Sequence, residues 1–143
     1  KIIITGGGGF LGSQLCQKIL DRGTLCGRPV GEIVLLDAFF RGEATDSRVR
    51  QVTGDIGDRD TVFQAIGSEV DVIFHLASMV SGECEERFDD ALRVNLEVGE
   101  MIEAARAANG RPRVVFASSV ACYGGMDMTQ TMSDDTKQLP QTT

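Results

Sequence analysis

Positive charge is scarce in this chain. Fourteen Lys and Arg stand against 21 Asp and Glu, a formal net charge of −7 over 143 residues. Nucleic acids and anionic membrane surfaces are held by clustered Lys and Arg, so this balance argues against either as a partner. Long hydrophobic runs are also missing, and none reaches the roughly 18 residues that a membrane span requires. No basic stretch followed by an apolar one marks a secretory signal. Histidine occurs once, at His75, and the four cysteines at 16, 26, 84 and 122 include no C-x-x-C pair. Zinc-type ligand spacing is therefore absent and no metal is expected. A chain of this length can build a core without staples. The cysteines accordingly read as reduced thiols of a cytoplasmic protein, with Cys16 as core filler.

What the chain does contain is a regular alternation of apolar patterns. Ile2 to Ile4 is a short β-branched strand. Phe10, Leu11, Leu15, Ile19 and Leu20 recur at helical spacing, and Gly23 is a natural stop. A second strand, Ile33 to Leu36, ends at Asp37, and the GTLCGRPVGE stretch before it reads as a loop extension. Val49 to Thr53 is a third strand, after which Asp58 can cap a helix carrying Val62, Phe63 and Ile66. Val70 to Ala77 is a fourth strand. Residues 84–108 read as one long or broken helix with Ala91, Leu92, Asn95, Val98, Ile102 and Ala105 on a shared stripe. Val114 to Ala117 is a fifth strand, and Met126 to Gln138 a polar loop. Strands that are continuous apolar runs, alternating with helices, predict an α/β fold: one doubly wound parallel sheet buried on both faces, in a single domain over residues 1–143.

Four glycines in a row, Gly6 to Gly9, follow the first strand directly. At the first strand-to-helix turn of such a sheet the backbone must turn tightly and approach a pyrophosphate. Side chains obstruct both, and the helix N-terminus then offers free N–H groups to the phosphates. Gly6, Gly9 and Gly12 have the spacing for this. A flexible link or hairpin turn is the alternative, disfavoured by the position between strand and helix. No G-K-[ST] follows, which excludes a Walker-type loop. Asp37, at the end of the second strand, is placed to accept hydrogen bonds from ribose hydroxyls and to repel a 2′-phosphate. That favours NAD over NADP, although Arg41 stands near enough to soften the preference, and a solvated charge at a strand end is the alternative.

Together these residues resemble the extended short-chain dehydrogenase/reductases, the NAD-dependent epimerase/dehydratase family, over nearly the whole chain. TGGGGFLG at 5–12 is similar to that family's cofactor motif, with Phe10 and Leu11 inside it. GDI at 54–56 resembles its adenine-pocket motif, which implies that Asp55 meets the adenine amino group and Ile56 packs on the ring. HLAS at 75–78 resembles the strand-four motif, so Leu76, Ala77 and Ser78 would line the cofactor cleft, while His75 is expected to be structural. Asn95 lies where the family has a helix asparagine, although Gly99 follows it at four residues rather than three. FASSVACYGG at 116–125 resembles the strand-five serine motif. The resemblance makes Ser119 the catalytic serine that also contacts substrate, with Ser118 as the alternative if the register slips, and makes Tyr123 structural.

The family's catalytic tyrosine lies in a Y-x-x-x-K motif about 25 residues past the serine, so it is expected immediately after Thr143, with its lysine four further on. The chain starts at Lys1 inside a strand pattern and ends at LPQTT in what looks like the start of a helix, as a piece of a longer protein would. The implied chemistry is hydride transfer to a nicotinamide. SMVSGECEERFDDALRVN at 78–95 contains no proline, unlike most nucleotide-sugar enzymes of the family, and resembles the D-erythronate dehydrogenase branch. Those enzymes oxidise the 2-hydroxyl of a four-carbon sugar acid. Val80, Ser81 and Gly82 would then lie near this small-molecule substrate, unless Ser81-Gly82 is an ordinary turn. A nucleotide-sugar epimerase or dehydratase, and a non-catalytic dinucleotide-binding module, stay open as alternatives. Family members pair through two helices, which makes a homodimer through the 84–108 stretch a further expectation.

Overall fold

A computed structural model describes residues 1–79, 81–96, 98–107, 111–125, 129 and 131–140, without the side chains of Ser81 and Val98. The first strand, β1 (Ile2–Thr5), is buried at every position. Around it a parallel sheet assembles from β4 (Ile33–Asp37), β5 (Val49–Thr53), β6 (Val72–His75) and β7 (Arg113–Phe116), in the order β5-β4-β1-β6-β7. β1 lies at the centre, paired in parallel with β4 on one side (Ile3 opposite Val34) and β6 on the other (Ile3 opposite Ile73). This is the doubly wound arrangement that the alternation predicts.

Residues alternate between the two faces of a strand, so β1 feeds two cores. Ile3 joins Val34, Leu36 and Ile73 beneath α2 (Arg59–Ile66) and α5 (Val98–Ala107), with Val62, Ile66, Met101 and Ala105 facing them. Ile2 and Ile4 join Ile33 and Leu35 on the opposite face, under Cys16 and Ile19 of α1 (Phe10–Arg22). Full burial of one such aliphatic side chain contributes about 1.5–3 kcal/mol. Cys16 is core filler, as expected.

Local signals end the elements where chemistry requires. Gly23 closes α1 at φ +66°, donating its N–H to Ile19 and Leu20 carbonyls at 3.0 and 3.1 Å. Asp58 caps α2 by accepting the Thr61 N–H at 2.9 Å. The stretch expected to be a loop extension is a small antiparallel hairpin, β2 (Thr24–Leu25) and β3 (Arg28–Pro29). Its two turn residues, Cys26 and Gly27, both have positive φ, 51° and 76°. Two-residue hairpin turns favour that conformation because it matches strand twist.

Three expectations need correction. The fourth strand spans Val72–His75 rather than 70–77, because Leu76 and Ala77 leave the ladder to bond with Thr5. Residues 84–108 take the broken form of the expected helix, as α3 (Ser81–Glu86), α4 (Phe88–Leu96) and α5, with Glu97 outside the described residues. The stripe is not buried throughout: Ala91 and Ala105 are buried while Leu92 and Ile102 are exposed; the side chain of Val98 lies outside the described residues. Burial on both faces fails at β7, where Val114, Val115 and Phe116 are 43, 48 and 56% exposed. It is an edge strand that no helix among the described residues covers. The polar segment expected at 126–138 has Met126, Asp127, Met128 and Gln130 outside the described residues, and its remainder is turn and irregular chain.

Ile73 is fully buried in the core shared by β1, α2 and α5. Ile73→Ala should lower unfolding stability by about 2–5 kcal/mol, read from urea midpoints at unchanged slope.

Candidate functional site

The carboxyl ends of the strands build one open cleft of about 530 Å³. Gly6, Gly9, Phe10, Leu11 and Gly12 form one wall, Asp37 a second, Asp55 and Ile56 a third, and Leu76, Ala77 and Ser78 the floor. Eleven of the twelve positions expected to touch a cofactor thus line a single crevice. Phe10 and Leu11 are 79 and 64% exposed, so their apolar side chains serve the cleft and not the core.

Steric crowding explains the glycine run. Gly6 has φ +70°, and a Cβ there would stand 2.9 Å from Ala77 N. A Cβ on Gly12 would stand 2.8 Å from Gly7 Cα. Gly7 and Gly8 are constrained as well, against Leu35 and against the Phe39 carbonyl, which the spacing alone did not reveal. Gly9 opens α1, and no side chain among the described residues caps that helix. Its first-turn N–H groups therefore remain available at the cleft.

Asp37 does more than face solvent. One carboxylate oxygen accepts the Gly8 N–H at 2.9 Å and the other the Phe39 N–H at 3.2 Å. The acid ties the glycine loop to the end of β4. Across the cleft Asp55 accepts the Gly57 N–H on Oδ1 at 2.8 Å and Arg93 Nη2 on Oδ2 at 2.8 Å. The hydrogen bond from the Arg93 guanidinium, aided by the Gly57 N–H against burial, holds the Asp55 carboxyl below the usual carboxylate range. Arg93 continues to Asp90, which in turn accepts Arg87 at 2.6 Å. Arg87, Asp90 and Arg93 all line the cleft, and sequence reasoning missed them. The available signal was opposite charges three apart on one helical face.

Beneath the floor lies a buried polar pair. Thr5 Oγ1 accepts the Leu76 and Ala77 N–H groups, each at 3.2 Å, and sits 2.8 Å from His75 Nδ1. A hydroxyl has two lone pairs and one proton, so the proton goes to His75. His75 Nδ1 must accept, leaving its ring proton on Nε2 and the imidazole neutral. Burial acts in the same direction and pushes the His75 pKa below its ordinary value. The ring stacks on Phe116 at 5.4 Å between centroids. His75 is buried and spent on these contacts, in keeping with the structural part expected of it on a buried strand.

Asn95 does not line the cleft. Its side chain accepts the Met79 N–H at 2.9 Å and donates to the Met79 carbonyl at 3.3 Å, which anchors the end of the floor. Ser119 lies just beyond β7, exposed, outside the walls of that cleft, with Oγ accepting the Ala121 N–H at 3.1 Å. Among the described residues its proton has no acceptor, whereas Ser118 Oγ lies 3.7 Å from Cys122 Sγ. Ser81 and Gly82 begin α3 and are not a turn. Val80 and the side chain of Ser81 lie outside the described residues, as do Gln141, Thr142 and Thr143.

The pattern of the NAD dependent epimerase/dehydratase family matches residues 2–143. D-erythronate dehydrogenase of Cupriavidus necator is 44% identical over 99% of this chain. The chain spans 45% of that relative's length. A crystal structure of the nucleoside-diphosphate-sugar epimerase from Agrobacterium tumefaciens aligns with TM-score 0.83 at 35% identity, covering 99% of this chain and 43% of that one. A mutant uronate dehydrogenase from the same organism, solved with NAD, aligns with TM-score 0.78 at 25% identity, over 97% of this chain and 48% of that one. Among the described residues no helix is long and apolar enough to cross a membrane.

The folded pKa of His75 lies below its unfolded value, which is near 6.5. The unfolded chain therefore binds the proton first, and stability is complete above about pH 6.5 and lost as pH falls below it. Urea midpoints should drop as pH is lowered from about 7 to about 5, and drop less in a His75→Gln variant.

Proposed function

Because the chain belongs to the NAD dependent epimerase/dehydratase family, we propose that it is the cofactor-binding part of an oxidoreductase of carbohydrate metabolism. That enzyme oxidises the 2-hydroxyl of a small sugar acid such as D-erythronate to the 2-oxo acid. The observation that carries the proposal is the convergence of the glycine wall, Asp37, Asp55 and the 76–78 floor in one crevice across the strand ends. In doubly wound sheets a dinucleotide lies across such a crevice. The residues fit NAD: Gly6 and Gly12 let the loop close tightly over the strand ends, and no side chain among the described residues caps the α1 N-terminus at the cleft. Asp37 presents a carboxylate where a 2′-phosphate would need a cation. The choice of a sugar acid is supported by the activity named for the C. necator relative.

Bound NAD supplies the hydride acceptor. Ser119, whose proton has no acceptor among the described residues, donates to the substrate oxygen and holds it in line. The family resemblance implies a tyrosine with a lysine four residues on as the proton acceptor. Tyr123, the single tyrosine of the 143 residues, closes the short turn Val120–Tyr123 and plays no part in the reaction. The four cysteines stand as free thiols, which suits a reducing cytoplasm. On α4, Phe88, Leu92 and Leu96 repeat every fourth residue and are 48, 37 and 71% exposed. That stripe supports pairing with a second copy, and Leu96→Glu should then shift a dimer toward monomer in sedimentation.

The deciding experiment is NADH formation, followed by absorbance, with the full-length protein and a panel of four-carbon hydroxy acids. Net NADH with a D-configured 2-hydroxy acid is expected, and Ser119→Ala should slow it by about 10²-fold, as loss of one transition-state hydrogen bond does. Turnover of a nucleotide sugar without net NADH would make the protein an epimerase or dehydratase instead. NAD binding without turnover of either class would make it a binding module.

A further inference from the structure

The charged chain on α4 calls for an explanation that packing does not supply. Arg93 lies against the GDIG turn so closely that a Cβ on Gly57 would stand 3.1 Å from its Cγ and 3.2 Å from its Cζ. On the other side of the turn, a Cβ on Gly54 would meet the Thr61 side chain of α2. The turn that carries Asp55 and Ile56 is thus clamped between two helices. Within the clamp each Asp55 oxygen already holds one protein donor, Gly57 N–H on Oδ1 and Arg93 Nη2 on Oδ2. The carboxylate is fixed at both oxygens, yet its side chain remains 45% exposed at the cleft.

An ionised carboxylate has no proton to give and can only accept. Fixed in that form, it recognises a purine with an amino group at C6 and opposes one with a carbonyl there. Asp90 and Arg87 extend the pairing and hold Arg93 over the turn. We propose that Arg93 is a positioning residue that sets the adenine selectivity of the cofactor site by pinning Asp55 as an aimed hydrogen-bond acceptor. The inference rests on the assignment of the cleft to NAD, with the purine against Asp55 and Ile56.

The test compares NAD with its hypoxanthine analogue, in which a C6 carbonyl replaces the amino group. Binding of each to the full-length protein is measured by calorimetry, with nicotinamide mononucleotide as a probe that lacks the purine. The wild-type protein should bind NAD about tenfold to a hundredfold more tightly than the analogue, the range for one hydrogen bond to a charged group. In Arg93→Gln that ratio should fall toward one, with nicotinamide mononucleotide binding unchanged. Arg93→Lys keeps a cation without the planar fork and should restore part of the ratio. Asp55→Asn, whose amide both donates and accepts, should collapse it, and serves if Arg93→Gln does not fold. Equal weakening of NAD and analogue in the Arg93 variants would mark Arg93 as structural only and overturn the inference. So would a wild-type ratio near one. Failure of the wild-type protein to bind NAD at all would instead overturn the cofactor assignment itself.

Discussion

The structure depends on how closely the backbone after β1 must approach two other backbones. At Gly6 the chain turns with positive φ against the peptide joining Leu76 to Ala77, and at Gly12 the helix closes onto the loop it has just left. Neither contact tolerates a Cβ. Because these approaches are made, α1 starts directly over the strand ends with its N–H groups facing the crevice. The other walls are arranged around that point. Asp37 reaches back to Gly8, and Thr5 reaches across to Leu76 and Ala77. Each polar group serves the geometry of the loop before it serves any ligand.

The same residues show how fold and site are one construction. Thr5 is the last residue of the central strand, and its hydroxyl is fully used: two N–H groups accepted, one proton given to His75. This pulls residues 76 and 77 out of the β6 ladder and turns them into the cleft floor. Asn95 continues the work from α4 by holding Met79 at both its N–H and its carbonyl. Thr5 and Asn95 therefore mark places where strand is converted into cleft wall.

Much of this was legible in the residues. The β1 and β4 runs, the Gly23 stop and the Asp58 cap are local signals, and local chemistry decides them. The glycine wall of the cleft was legible because its spacing reports a steric demand that holds wherever that turn is built, whereas Asp55, Ile56 and the 76–78 floor were reached through the family resemblance. What escaped depends on long-range placement. The stripe drawn through 84–108 fails at Leu92 and Ile102, because which face of a helix is covered depends on the elements packed against it, and periodicity cannot see those. The Arg93–Asp55 pair joins residues that only the fold brings together, and the exposure of β7 reflects that no helix among the described residues covers it. Neither leaves a mark within a short window of sequence.

The central strand is made before both of its partners and completed late. Ile2–Thr5 pair with Ile33–Leu36 and with Val72–His75, so half of the partners of β1 lie some 70 residues away along the chain. During synthesis the opening strand must wait, unpaired on one side, until residue 75 has left the ribosome. Only then can the Thr5 hydroxyl find its partners and the crevice take shape. A nascent chain of this architecture leaves an apolar strand waiting for a distant partner, and the interval falls to whatever shields that segment in the cell.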